Sequence, residues 1–221
     1  MGRQKLKRFQ ENEQMSNVIQ ETKDIYTKIK GNWNAFFKND HPIVLELACG
    51  NGEYTLGLAK QFPNKNFIGV DLKGDRIWNG ASYARDNGLN NVAFLRGQIL
   101  HLEEFFAEDE VEQIWVVFPD PRPRDRDIRR RLTSPRFLKI YQKICKKGGL
   151  LHLKTDNTKF FDYTLELLAT EEHRDTFTNL TYTKDLYQSE MLAEHYGITT
   201  RYEKIWMGKG EKIKYLRYEF L

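Results

Sequence analysis

Val44-Leu45-Glu46-Leu47-Ala48-Cys49-Gly50-Asn51-Gly52-Glu53-Tyr54 runs from an apolar strand through a glycine turn into the start of a helix. The upstream strand is predicted over Ile43–Leu47. The downstream helix is predicted over Glu53–Phe62, where Tyr54, Leu58 and Phe62 fall on one stripe. Working outward, short β-branched runs at Asn66–Val70, Val92–Leu95, Gln113–Phe118 and Leu150–Thr155 alternate with longer amphipathic stretches. That alternation defines an α/β chain built from βα units around a mostly parallel sheet. Ser134-Pro135 reads as an N-cap and first helical residue. The helix it opens carries Phe137, Tyr141 and Ile144 inside and Arg136, Lys139, Lys143 and Lys146 outside, and is expected to stop at Gly148-Gly149. A further helix after Asp156 carries Phe161, Leu165 and Leu168. Strand-like runs at Phe177–Thr183 and Ile213–Phe220 end the chain, the last fed by the turn Gly208-Lys209-Gly210. Ahead of all this, Val18, Ile25, Ile29, Trp33 and Phe36 suggest a packed helical arm that Gly31-Asn32 interrupts. We therefore expect a basic, helical arm over residues 1–40 and one domain over 41–221.

A length of 221 residues makes one domain the default, because a single core of this size is already well buried. Lysine and arginine total 35 against 31 aspartate and glutamate, so the net charge of +4 is mild and any nucleic-acid footprint must lie in how the charge is distributed. No apolar run approaches the roughly 18 residues of a membrane span, and the polar, basic start has no apolar segment behind it, so a cytoplasmic protein without membrane contact is expected. Cys49 and Cys145 have neither a C-x-x-C neighbour nor a histidine at ligand spacing. Both are expected as reduced thiols, with no metal site. Arg3, Lys5, Lys7 and Arg8 read either as a solvated tail or as a binding arm.

Gly50 and Gly52 let the backbone approach a ligand without a Cβ in the way, and Asp71 stands about 20 residues on, at the end of the next strand, where a carboxylate can accept from both ribose hydroxyls. That geometry fits adenosine. A pyrophosphate would sit at a helix start, commonly with a third glycine, yet here the position is Thr55 and the helix opens with Glu53. S-adenosyl-L-methionine brings an ammonium and a sulfonium, so Glu46 beside the turn is favourable to it. The alternative is a plain strand–helix turn with surface acids.

The fourth of these strands ends in Phe118-Pro119-Asp120-Pro121, followed by Arg122-Pro123-Arg124-Asp125-Arg126-Asp127-Ile128-Arg129-Arg130-Arg131. Ligands of open α/β sheets bind beyond the carboxyl ends of the strands, and prolines on both sides of Asp120 restrict its backbone. Between Arg122 and Arg136 lie seven arginines against two aspartates, a density suited to phosphates and base edges. An exposed charged loop is the bland alternative.

These segments together resemble the bacterial tRNA (guanine-N7-)-methyltransferase family over nearly the whole chain. The resemblance is carried by ELACGNGEY, by Gly69-Val70-Asp71, by FPDP with its arginine tract, by Lys154-Thr155-Asp156 and by Thr200-Arg201-Tyr202-Glu203. It implies a Rossmann-like class I methyltransferase fold with helices on both faces of the sheet and an antiparallel last strand. It also implies S-adenosyl-L-methionine as cofactor and tRNA as partner, the target being a guanine of the variable region. Glu46, Gly50, Gly52, Asp71, Gln98 and Asp120 would line the cofactor pocket, with Asp120 at the catalytic centre. Arg124, Asp156, Thr200, Arg201, Tyr202 and Glu203 would meet the substrate. Against the family's pattern, Ala48 replaces a glycine, Asp71 a glutamate, Gln98 an aspartate and Arg122 a tryptophan. Gln98 can still accept a hydrogen bond, and an arginine plane can still stack on a base.

Asp156 read alone is an ordinary strand-to-helix N-cap rather than a substrate contact. Thr200–Glu203 read alone is a surface turn with an ion pair. His152, with no nucleophile or metal cluster about it, reads as a strand-core residue. Tyr187, Tyr196 and Tyr202 could stack on RNA or pack against the last strands. The rival classes are a methyltransferase for small molecules or proteins, a dinucleotide oxidoreductase and an inactive RNA-binding module. Monomer and homodimer both fit this surface.

Overall fold

The computed structural model describes residues 3–221, and side chains from Gln4 onward, so the side chain of Arg3 in the basic start lies outside the described residues. Eight strands form one sheet: Val18–Ile19 (β1), Ile43–Leu47 (β2), Asn66–Asp71 (β3), Val92–Arg96 (β4), Val111–Val117 (β5), Cys145–Thr155 (β6), Phe177–Thr183 (β7) and Lys214–Phe220 (β8). Their order is β1-β4-β3-β2-β5-β6-β8-β7. All pairings from β1 to β6 are parallel, while β8 runs antiparallel to both β6 and β7. Helices are Arg3–Gln14 (α1), Trp33–Phe37 (α2), Glu53–Gln61 (α3), Gly74–Asp86 (α4), Pro135–Ile144 (α5), Thr158–Leu168 (α6) and Arg201–Met207 (α7). Among the described residues no helix is long and apolar enough to cross a membrane.

The central strands are buried on both faces, which is why they read as continuous apolar runs rather than alternating ones. Alternation still decides which face each side chain serves. Leu45, Leu47, Ile68, Val70, Ile114, Val116, Leu151 and Leu153 point to the α5 side, where Phe137, Tyr141, Phe160 and Phe161 meet them. Val44, Phe67, Trp115 and Tyr215 point the other way, onto Tyr54 and Leu58 of α3 and Ile77 and Ala81 of α4. By the same parity Glu46, Asp71, His152, Lys154 and Asp156 belong to the α3 side.

Strand order reverses between β2 and β5, which lie side by side with Leu47 opposite Val116. The crevice beyond their carboxyl ends is the topological switch point of an open α/β sheet. The glycine turn leaves β2 there, and Phe118-Pro119-Asp120 leaves β5.

Two elements differ from the sequence reading, the helix after Ser134 and β1. The helix after Ser134 ends at Ile144 rather than at Gly148-Gly149, and the chain is already in β6 from Cys145. The two glycines instead form an irregularity in that strand. Gly148 has φ +76°, and a Cβ on Gly149 would stand 2.8 Å from the Glu112 carbonyl oxygen. The β5–β6 register shifts at this place, so the glycine pair serves a bulge and not a helix stop. α4 is one of the amphipathic stretches between strands, and it carries Gly80, a weak helix former, at its middle. A Cβ there would meet the Phe94 ring at 2.4 Å, so close helix–sheet packing outweighs propensity. β1 has only two residues and no pattern to read.

The N-terminal segment packs on this sheet. Val18 and Ile19 extend its edge beside β4, and Trp33 is fully buried, stacked on Phe106 at 5.2 Å with its indole N–H donating to the Phe105 carbonyl at 2.9 Å. Gly31, at φ +71°, makes the expected break. α1 lies on α4 through Asn12, whose amide donates to the Gly74 carbonyl at 2.8 Å, and through Arg8, whose guanidinium covers Trp78 at 4.6 Å.

Candidate active site at the switch point

Glu46 is the last but one residue of β2, and parity aims it at α3. Its Oε2 accepts from the Thr55 backbone N–H at 2.7 Å and, by a shorter contact, from the Thr55 hydroxyl. Only 5% of the residue is exposed. Burial pushes its carboxyl up to about 7, with Thr55's two hydrogen bonds opposing the shift. Burial thus favours the neutral acid, and a cation placed beside it would restore the carboxylate. Thr55, which stands where a dinucleotide fold commonly has its third glycine, thus has a second role as donor to Glu46. The signal for it is a strand-end acid facing the first helical turn.

Asp71 ends β3 and ties the glycine turn to it. Its Oδ2 accepts from the Gly50 N–H at 2.9 Å and its Oδ1 from the Lys73 N–H at 2.8 Å. The Cys49 N–H donates to the Val70 carbonyl at 3.1 Å, so the turn is anchored at two successive residues. Ala48, Gly50 and Gly52 all have left-handed backbones, with φ of +57°, +58° and +72°. Gly50 is open above: a Cβ there would meet nothing within 4 Å. Gly52 is closed, since its Cβ would stand 2.6 Å from the Phe94 ring. One glycine therefore leaves space for a ligand and the other permits packing. Ala48 holds a conformation that suits glycine, the residue usual there in the resembling family. Gln98, just past β4, is exposed and starts a 3-10 turn over Ile99–Glu104.

Asp120 stands on the facing wall, its side chain 60% exposed. Phe118, before it, has φ +47° yet keeps its N–H on the Lys154 carbonyl at 2.8 Å, and such strain in a non-glycine residue gathers at functional sites. Arg122 holds both oxygens of Asp120: its N–H donates to Oδ1 at 3.2 Å, and its Nε lies 3.2 Å from Oδ2. The Arg122 carbonyl is in turn gripped by the buried Arg131, at 3.2 and 3.3 Å, whose guanidinium stacks over Tyr163 at 4.4 Å. The tract is thus more than a free loop. Asp127 is buried and collects Arg124 at 2.9 Å and Arg130 at 3.3 Å, whereas Arg126, Arg129 and Arg136 remain exposed.

Asp156 follows the end of β6 and does not cap α6. That role falls to Asn157, whose Oδ1 accepts from the Phe160 N–H at 2.9 Å, leaving the Asp156 carboxylate free of it. Partial burial raises the Asp156 carboxyl above its ordinary range, with Lys214 pulling the other way. Thr200 and Glu203 form a capping box at the start of α7, and the Arg201 N–H donates to Glu53 Oε2 at 3.0 Å. This bond brings Thr200–Tyr202 to the first turn of α3, directly after the glycine turn. Arg201 and Tyr202 are exposed, but Thr200 is buried with its hydroxyl accepting from the Glu203 N–H, and Glu203 is fully buried against Lys154, so two of these four residues expected to meet substrate are turned away from solvent. Tyr187 also points inward, donating to Glu203 Oε1 at 2.9 Å, and Tyr196 packs on Phe62, which leaves Tyr202 free. His152 is core: it stacks on Trp115 at 3.8 Å, and burial holds it down at about 3. A cavity of about 700 Å³ at the amino end of β4, lined by Met15, Phe36, Phe37 and Leu89 among others, contains none of these site residues.

A Rossmann-like sheet whose switch point carries a glycine turn, a ribose-spaced acid and a buried carboxylate defines a class I methyltransferase. A methyltransferase family model, Methyltransf_4, matches residues 40–216. Two curated relatives are each named tRNA (guanine-N(7)-)-methyltransferase. The protein of Cytophaga hutchinsonii is 48% identical over 100% of this chain and 99% of its own length, and that of Christiangramia forsetii is 45% identical over 99% and 98%. The chain belongs to the tRNA (guanine-N(7)-)-methyltransferase family. The 16S rRNA methyltransferase KamB shares the fold, with a TM-score of 0.65 at 15% identity over 92% of this chain and 98% of that one.

Proposed function

We propose that this chain transfers a methyl group from S-adenosylmethionine to N7 of a guanine in tRNA, in the cytoplasm, with the variable region as the target. The observation that carries this reading is Asp120. It is an exposed carboxylate held on both oxygens at the switch point, between an acidic, glycine-lined cradle and a lip of exposed arginines.

The cradle fits the cofactor by its chemistry: Gly50 leaves open the space a side chain would fill, Glu46 is a buried acid suited to an ammonium, and Asp71 stands where ribose hydroxyls are read. Gly52 and Gln98 complete that wall. When bound, S-adenosylmethionine supplies an electrophilic methyl on a positively charged sulfur. Guanine N7 carries its lone pair in the ring plane and needs no general base, so the protein's task is alignment, which can supply roughly 7–11 kcal/mol of barrier reduction in favourable cases. Asp120 accepts from the donor edge of guanine and offsets the positive charge that the ring acquires. Arg122 takes one contact on each oxygen and leaves the remaining lone pairs for the base. Arg124 and the exposed arginines meet phosphates, and Asp156, Arg201 and Tyr202 form the opposite lip.

Labelled methyl transfer to bulk tRNA, followed by nucleoside analysis, tests the reading. Label in 7-methylguanosine is expected. Label in another nucleoside, or none in tRNA with transfer to protein or a small molecule instead, would replace the function proposed.

A further inference from the structure

The family resemblance puts Glu203 at the substrate, and the fold gives it another partner. Its carboxylate lies 2.7 and 3.0 Å from Lys154 Nζ, accepts from the Tyr187 hydroxyl at 2.9 Å and from the Thr200 N–H at 3.3 Å. Both members of the ion pair are fully buried. Lys154 Nζ also lies 3.3 Å from His195 Nδ1 and 3.4 Å from the Ile198 carbonyl, and stands 5.3 Å from the centre of the Tyr54 ring. The cluster thereby ties together three separate stretches of chain: β6, the segment before α7, and α7 itself.

A desolvated ion pair is a poor source of stability, since an apolar pair of the same volume is often as stable or more so. Its value lies in what it fixes. α7 has only seven residues, too few to hold a position by helix formation alone. The glutamate of its capping box is anchored on β6, two residues before Asp156. The Arg201 N–H on Glu53 is the second anchor. Between these two ties the backbone of Thr200–Tyr202 has one place to be.

We propose that Lys154 and Glu203 are positioning residues: their buried pair locks the start of α7 to the carboxyl end of β6, so that Arg201 and Tyr202 face the same RNA as Asp156, and Glu203 itself does not touch substrate. This rests on the reading that Arg201 and Tyr202 contact tRNA.

The test measures kcat, KM for tRNA, affinity for S-adenosylhomocysteine and thermal midpoint in four variants. Glu203→Gln should raise KM for tRNA about tenfold, within the range that coupling through a packed network supports, with kcat and S-adenosylhomocysteine affinity little changed. Arg201→Ala/Tyr202→Ala should raise it comparably, and adding Glu203→Gln to that background should add little, because all three act through one contact. Lys154→Met/Glu203→Leu, which keeps the core filled even if Glu203→Gln folds poorly, should recover the thermal midpoint and keep the raised KM. Wild-type KM in that apolar pair would overturn the inference, as would a Glu203→Gln effect that adds in full to the Arg201→Ala/Tyr202→Ala background. If Arg201→Ala/Tyr202→Ala leaves KM unchanged, the proposed RNA contact falls and takes the inference with it. If Arg201→Ala/Tyr202→Ala raises KM and both Glu203 variants do not, the inference alone falls.

Discussion

The two walls of the switch-point crevice are built on opposite plans. On the β2–β3 wall, Glu46 and Asp71 are 5% and 9% exposed, and each accepts two hydrogen bonds from its own surroundings. On the β5 wall, Asp120 is held by one neighbour and looks out to solvent, amid arginines that mostly do the same. On the proposed assignment, the first wall takes a small cofactor, which arrives in the same pose each time, so that wall can be fixed in advance. A nucleic acid brings its own charge and excludes water as it docks, so its wall can stay open until then. Charges left in water interact weakly, and the same charges covered by RNA interact strongly.

The sharpest way to break this contrast is Asp120→Ala. Turnover should fall by about 10²–10³, the usual cost of removing a preorganised electrostatic group, while S-adenosylhomocysteine affinity is little changed. Failure to bind the cofactor would move Asp120 to the other wall. Next in size is Arg126→Ala/Arg129→Ala, two exposed side chains of the lip. The slope of log affinity for tRNA against log salt should flatten by about 0.7–0.9 for each phosphate that is no longer neutralised, with cofactor affinity intact. An unchanged slope would mean that these arginines only solubilise the surface.

The walls also differ in how far they can be read from sequence. The wall proposed for the cofactor is legible because its requirements are local: a strand, two glycines and an acid at the next strand end occupy nearly fixed offsets. The strand positions of Glu46 and Asp71 even give their facing, by parity. Asp120 and the arginines are legible from composition and from the strand end. What escapes is long-range partnership. Glu203 and Lys154 are 49 residues apart, and Arg201 and Glu53 are 148 apart. Nothing in a surface-like Thr-Arg-Tyr-Glu announces that its last member is buried. Asp156 and Asn157 show the finer limit, since both are good caps and only the helix register selects Asn157.

A third prediction concerns pH on the fixed wall. Burial raises Glu46 in the folded protein to about 7 from an ordinary value of 4.5, so the folded state holds its proton more tightly than the unfolded chain does. The stability this proton contributes is complete below about 4.5 and is lost as pH rises through 7. An ammonium placed beside Glu46 reverses the preference, because it favours the carboxylate. Cofactor affinity should therefore tighten as pH rises through about 7 with release of a proton, measured by calorimetry in buffers of different ionisation heat. Glu46→Gln should bind more weakly and lose that pH dependence, and a profile unchanged by the substitution would remove Glu46 from the ammonium's surroundings.

The smallest expected effect tests whether the glycine turn is as rigid as its hydrogen bonds imply. Ala48 has φ +57°, where an L-residue is strained by roughly 1–2 kcal/mol and glycine is not. Glycine offsets roughly 0.5–1 kcal/mol of that in chain entropy, so Ala48→Gly should be close to neutral or stabilising by up to about 1.5 kcal/mol. In a chain of this length that is a rise of about 3–6 °C at most in thermal midpoint. Gly50→Ala makes the reverse exchange at nearly the same φ, in open space, and should cost stability by strain alone while narrowing the cradle. Gly52→Ala adds a collision with Phe94 and should be the most destabilising of the three. A turn that flexed freely would flatten this order, because each residue could then relax out of the left-handed region. If the three variants melt together, the fixed wall is fixed only by its ligand.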